Sequence, residues 1–190
     1  MGSSTRVNFR HVRALLTLGL LGAIGCTGIP EGLEPVGGFR TERYLGTWYE
    51  IARLDHSFER GLQDVSATYS ARSGGGIRVV NRGYDPTASE WREAVGLAYP
   101  LGDPGIGSLK VSFFGPFYGG YHVIALDEDY GWAVVVGPDR SYLWFLARDR
   151  SLTAERREAL LSVARDGGFD VAALVWVEQD RDDPALEQDE

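Results

Sequence analysis

Between Tyr44 and Arg148, hydrophobic and polar positions alternate in short runs that turn residues separate. The runs fall at 46–54, 64–72, 77–84, 90–99, 108–114, 120–126, 131–137 and 142–148. Between them stand Ser73-Gly74-Gly75-Gly76, Asp85-Pro86, Asp103-Pro104-Gly105, Gly115-Pro116, Asp127-Glu128-Asp129 and Pro138-Asp139. Short strands at regular spacing with tight turns predict an antiparallel sandwich or barrel, and consecutive hairpins favour an up-and-down order. Eight such strands can close around one small ligand. The first connection, Asp55 to Gln63, is longer than a hairpin turn and carries Phe58, Arg60 and Leu62. It reads either as a lid over one end or as a loop packed outside.

Past Arg148 the period becomes helical. Thr153 can cap a helix, Glu155 suits its first turn, and Ala159, Leu160, Val163 and Ala164 form an apolar stripe that Gly167-Gly168 ends. A final strand is expected over 171–177. At the other end of the pattern, Gly46-Thr47-Trp48 opens the first strand. Glycine lets other backbone approach closely, and the indole beside it suggests a plug at the closed end of something hollow.

Composition narrows the reading. The chain has 190 residues, a formal net charge of −8 and 25 glycines, which suits one turn-rich domain with appendages. An acidic body argues against nucleic acid as partner. The single cysteine, Cys26, excludes an intrachain disulfide. Arg6, Arg10 and Arg13 precede the apolar run Ala14–Gly25, which is short for a membrane span and follows secretory-signal logic. Ala23-Ile24-Gly25-Cys26 resembles a bacterial lipobox, with Ala23 where leucine is usual. That resemblance implies cleavage before Cys26 and lipid on the cysteine, against the plainer readings of an uncleaved anchor or an ordinary signal peptide. Thr27 in place of Asp implies sorting to the outer membrane. The expected organisation is a signal peptide over 1–25, lipidated Cys26 with a Gly/Pro-rich flexible tether over 26–38, a domain over 39–178 and an acidic disordered tail over 179–190.

The longer runs Tyr49-Glu50-Ile51-Ala52-Arg53, Phe58-Glu59-Arg60-Gly61-Leu62, Leu109–Phe117, Tyr121–Asp127 and Gly137–Trp144, together with Gly46-Thr47-Trp48, the Asp127/Asp129-Tyr130 turn and Arg148, resemble the lipocalins. Within that family they are similar to the bacterial outer-membrane lipoproteins akin to apolipoprotein D. The resemblance implies an all-β, eight-stranded antiparallel up-and-down barrel with a C-terminal helix on its wall and a short final strand. It implies binding, storage or transport of fatty acids such as palmitate, or of lysophospholipids, in envelope maintenance, with no cofactor. It also implies that Gly46, Trp48 and Arg148 close the base, where a guanidinium over an indole gains cation–π attraction.

With those anchors, strand alternation turns Glu50 and Ala52 inward with Trp48, and Leu146, Trp144 and Tyr142 inward with Arg148. The family register adds Ala67 and Tyr69, Val79 and Asn81, Ala94, Gly96 and Ala98, Leu109, Val111 and Phe113, and Tyr121, Val123 and Ala125. The expected ligand-binding set is Ala67, Tyr69, Val79, Asn81, Val111, Phe113, Tyr121, Val123, Tyr142, Trp144 and Leu146. Small residues on one wall and aromatics on others leave room for an acyl chain, whereas a filled core is the plainer reading. A bulge would invert these faces locally.

Glu50, if buried, needs a partner, for which Tyr69, Asn81 or a base-closing group stand nearest. Arg53 and Arg60, near the mouth, read as headgroup contacts or as solvated surface. No nucleophile, base and orienting group stand at credible spacing, and His56 and His122 are too few for a metal site. The alternatives to a carrier of simple lipids are an isomerase or hydrolase using Glu50 and Tyr69, and a carrier of another apolar ligand such as a tetrapyrrole. An aromatic mouth of Trp144, Tyr142 and the first loop also suits a homodimer contact.

Overall fold

The structure, a computed structural model, describes residues 27–186. The expected signal peptide and Cys26 lie outside them. Eight strands form the barrel: β1 Gly46–Leu54, β2 Gln63–Ala71, β3 Ile77–Asp85, β4 Glu90–Pro100, β5 Ser108–Phe114, β6 Phe117–Leu126, β7 Trp132–Val136 and β8 Leu143–Ala147. Each pairs antiparallel with the next, β8 returns to β1, and β1 closes the ring on β2. The strand expectations hold to within a few residues because alternation and turn chemistry are both local.

Helix α2, Ala154–Asp166, starts on Thr153, whose side chain accepts from Arg156 N at 3.2 Å, and ends before Gly168 at φ +77°. Leu160 and Ala164 are fully buried against the outer face of the sheet. Ala159, expected in the same stripe, is exposed. The expected strand over 171–177 is instead one 3-10 turn, Val171–Ala173, followed by β9, Leu174–Trp176. Asp170 accepts from Ala172 N at 3.1 Å and starts that turn.

Two apolar cores share the sheet. The inner one fills the lower barrel with Tyr44, Trp48, Tyr69, Val79, Leu109, Val123, Val135 and Leu146. The outer one joins Ile51, Val134, Val136, Leu143 and Phe145 to α2. β7 is therefore apolar on both faces, as a strand covered on both sides must be.

Bulges change which side chains face in. β1 shifts register between Glu50 and Ala52, and β6 between Val123 and Ala125. The expectation that Ala52 and Ala125 point inward is therefore corrected: both join the outer core. Beyond the bulges Arg53 pairs with inward Trp144, and Leu126 packs into the inner core. One extra residue advances the two-residue alternation by one step, which swaps the faces.

The base is closed as the sequence suggests, and by more groups. A short helix α1, Thr41–Tyr44, lies across it. Trp48 is fully buried, donates Nε1–H to Tyr44 O at 2.8 Å, and lies 4.7 Å from the Tyr44 ring. The Arg148 guanidinium sits 4.0 Å from the Trp48 ring and donates to the carbonyls of Thr47 (2.8 Å), Arg43 (2.9 Å) and Leu45 (2.8 Å). Gly46 has φ +93°, and a Cβ there would meet Arg148 Nη1 at 3.3 Å. Its conformation calls for glycine, and a Cβ would also press on the guanidinium that closes the base.

Neither terminal segment is free. The tether expected over 26–38 is corrected for its described part. Val36 N donates to Val123 O, Gly107 N to Val36 O, and Phe39 N to Gly105 O, so the segment runs along β6 towards the base. The tail expected to be disordered from Gln179 is likewise packed as far as it is described. Gln179 donates to Glu50 O and Val65 O, both at 2.8 Å, Asp64 N donates to Glu178 O, and buried Asp183 pairs with Arg82. β1 and β2 pair only through Gly46–Tyr49, so β9 and this tail close the seam above them.

Removing Arg148 strands the part-buried Thr47 and Leu45 carbonyls and uncovers the stacked indole. Arg148→Met is expected to lower stability by about 2–4 kcal/mol, read as a lower urea midpoint with an unchanged slope.

Candidate functional site

The upper barrel differs from the lower. Ala67, Val111, Phe113, Tyr121 and Trp144 face inward yet stay partly exposed, and Ala94 is exposed. Tyr69, Val79, Val123 and Leu146 are buried deeper, in the inner core. The expected ligand-binding residues thus divide into a sealed floor and an open wall. Asn81 Oδ1 is buried with no hydrogen-bond partner among the described residues. Strand β4 extends past β5 at this end, since its pairing with β5 is confined to Leu97–Pro100.

Three linked hydroxyls join the floor to the wall at Tyr121. Tyr121 Oη lies 2.6 Å from Tyr44 Oη and 2.9 Å from Tyr69 Oη. Burial pushes all three phenols above their usual range, so they act as neutral hydrogen-bonding groups.

At the mouth, the bulge in β1 brings together a polar cluster that sequence reasoning missed. Arg53 is buried, not surface: Nη1 donates to Glu50 Oε1 at 2.6 Å, and Nη2 to the carbonyls of Glu59 (2.8 Å) and Leu62 (3.3 Å). Arg53 is therefore the partner that Glu50 needs, in place of Tyr69, Asn81 or a base group, and it also holds the first loop down. The signal available in sequence was the opposite charge three residues on, masked by the assumed alternation. Burial, and next the Glu59 carboxylate, raise Glu50 well above its ordinary value of 4.5, against the pull of Arg53. Arg60 stays exposed and pairs with Asp55.

The first loop is a partial lid. Glu59 Oε2 accepts from Trp144 Nε1 at 3.0 Å and lies 3.1 Å from His56 Nε2 without the alignment of a hydrogen bond. His56 stacks on Phe58 at 4.1 Å, and Tyr142 stacks on Trp144 at 5.9 Å. Both His56 nitrogens are buried without a hydrogen-bond partner among the described residues. The mouth thus offers aromatic faces, a carboxylate pair and unsatisfied imidazole nitrogens above an apolar shaft.

A serine–histidine contact also exists outside the barrel: Ser108 Oγ lies 2.7 Å from His122 Nδ1. His122 Nε2 is 2.8 Å from Gly28 O, which makes it the donor there and leaves Nδ1 to accept from the hydroxyl. Both residues are buried beneath the N-terminal segment, and burial lowers His122 from its usual range. The pair fastens that segment to β6.

Comparison with known proteins agrees with this architecture. The family model described as a lipocalin-like domain matches residues 39–179. The outer membrane lipoprotein Blc of Citrobacter freundii is 55% identical over 150 residues, 79% of this chain and 85% of the relative. Its namesake in Vibrio cholerae is 49% identical over 156 residues, covering 82% and 91% respectively. Among solved structures, insecticyanin from Manduca sexta superposes with a TM-score of 0.65 at 19% identity, covering 84% of this chain and 89% of that one, a likeness of fold.

The Glu50–Arg53–Glu59 cluster makes two outcomes testable. Arg53→Met leaves the buried Glu50 carboxyl and two loop carbonyls without their donor, and should cost about 2–4 kcal/mol in urea unfolding. For Glu50 the folded state keeps its proton in a window where the unfolded chain has lost it. Its contribution is therefore complete below about pH 4.5 and declines as pH rises through the raised folded value. Glu50→Gln should lose less stability than the parent between pH 5 and pH 8, and equal losses in both proteins would contradict this.

Proposed function

The chain belongs to the lipocalin family, and from that premise we propose that it carries a single-acyl lipid, a fatty acid or lysophospholipid, in the open upper barrel. In this reading it is tethered to the outer membrane, facing the periplasm, by lipid on Cys26, and it serves envelope maintenance. The observation that carries the proposal is the division of the inward face. The floor is sealed by Trp48, Tyr44 and Arg148, while the wall above it, Ala67, Val111, Phe113, Tyr121 and Trp144, is apolar but only half-buried. Apolar side chains that face a barrel axis and still meet solvent line a space suited to an acyl tail. The polar cluster of His56, Glu59 and Arg53 stands where a headgroup emerges.

Two relatives named as outer membrane lipoproteins support the location. No helix among the described residues is long and apolar enough to cross a membrane. Attachment in this reading falls to Cys26. Binding rather than turnover is favoured because, among the described residues, the serine–histidine contact lies outside the barrel, under the N-terminal segment.

Lysophospholipid should quench intrinsic tryptophan emission and saturate at about one ligand per chain, with Trp144→Phe removing much of the change. Emission unaltered by fatty acid and lysophospholipid alike, with no displacement of an apolar dye, would reject the carrier reading. Cys26→Ser should release the chain into the soluble fraction, and a processed form that stays with the membrane would reject lipidation.

A further inference from the structure

We propose that the tip of the β5–β6 hairpin is a membrane-docking surface that, together with the lipid on Cys26, turns the open end of the barrel towards a zwitterionic lipid surface. The inference rests on the reading of Cys26 as the lipidated residue and adds an orientation that lipidation alone does not supply.

The hairpin tip, Phe114-Gly115-Pro116-Phe117, stands at the mouth. Phe114 is 82% exposed and Phe117 is 79% exposed. From Val111 to Tyr121 no residue is charged. Phe58, on the first loop at the same end, is 59% exposed. Beneath the tip, a cavity of about 200 Å³ opens against Val95, Leu97, Phe113 and Tyr118. Soluble surfaces seldom hold two nearly bare phenylalanines on one uncharged turn without something to cover them.

The path of the N-terminal segment says what covers them. Thr27 and Gly28 lie against Gly120, where a Cβ would sit 2.9 Å from Gly28 O and 3.1 Å from the Thr27 carbonyl carbon. His122 fastens Gly28 from the next outward position of β6, at 2.8 Å. Arg140, in the β7–β8 turn at the mouth, holds the Glu31 carbonyl at 2.8 Å. From there the chain descends past Val36 to Phe39 at the base. The residue that follows Cys26 is therefore pinned to the mouth half of the wall. Gly120 is three strand residues from Phe117, about 10 Å along β6. A long flexible tether would let the barrel turn freely, whereas this strap brings the acyl chains and the phenylalanine tip to one end. The turns at the opposite end, around Asp103 and Asp127-Glu128-Asp129, are acidic. An acidic body with an uncharged apolar tip fits a zwitterionic surface better than an anionic one.

Once Cys26 carries lipid, a cysteine placed elsewhere is the sole free thiol. Phe117→Cys and Gly74→Cys, the second in the β2–β3 turn at the base, each labelled with a polarity-sensitive fluorophore, are compared in the acylated full chain on phosphatidylcholine vesicles. Mass spectrometry and flotation report the anchor in the same samples. The expected result is a floating, acylated protein whose label at 117 shifts to the blue and resists a water-soluble quencher, as at a depth of about 5–10 Å, while the label at 74 stays aqueous. A floating protein with both labels equally aqueous overturns the docking surface and leaves the anchor standing. A chain that is neither acylated nor floating overturns the anchor and the inference together. Shielding of 117 that persists in the free Cys26→Ser chain, with a dimeric mass, assigns the tip to a second copy and overturns the membrane as its occupant.

Discussion

A barrel open at one end depends on how the other is shut, and here the closure converges on one guanidinium. Arg148 covers the Trp48 ring and gathers three carbonyls from the chain that enters the first strand. The Thr47 and Leu45 carbonyls are part-buried there, and that of Arg43 is exposed. The same contact sets the conformation of Gly46 and the position of Tyr44, and Tyr44 in turn starts the chain of hydroxyls through Tyr121 to Tyr69. With the floor held by hydrogen bonds and aromatic packing, the wall above it is free of the need to fill the interior.

The upper half is held from outside and by a small buried polar group. α2 and β9 cover the outer faces of β1, β7 and β8, and the C-terminal segment closes the seam where β1 leaves β2. Inside, Arg53 ties β1 to the first loop through two loop carbonyls and Glu50. One cation facing two carboxylates in a desolvated place favours a retained proton on Glu50. The lid is thereby latched by Arg53, whose other partner is that buried carboxyl.

The N-terminal segment links architecture to location. Its hydrogen bonds to β6 and to the 103–107 turn make it part of the wall rather than a leash. The direction in which it runs decides which end of the barrel lies nearest Cys26. In the proposed reading, an anchor at the head of this strap carries orientation, because the strap removes the rotational freedom that a free linker would leave.

Strand number, turn positions, the capped helix and the Trp48–Arg148 closure were legible in the sequence, the last through family resemblance. Period and turn chemistry are properties of neighbouring residues, so they survive without knowledge of the fold. Trp144 and Leu146 followed from alternation off Arg148, and Tyr69, Val79, Phe113 and Tyr121 from the register of the family it resembles. What alternation could not reveal was where it breaks. The bulges at Ile51 and Ile124 moved Ala52 and Ala125 outward and brought Arg53 and Leu126 inward, because a single unpaired residue reverses every later side chain. The packed terminal segments were equally hidden: their Gly, Pro and acidic composition reads as unstructured alone. They gain order only from partners far along the chain, such as Val123 for Val36 and Glu50 for Gln179. Local composition thus determined the elements, and long-range pairing alone decided which faces, loops and ends those elements present.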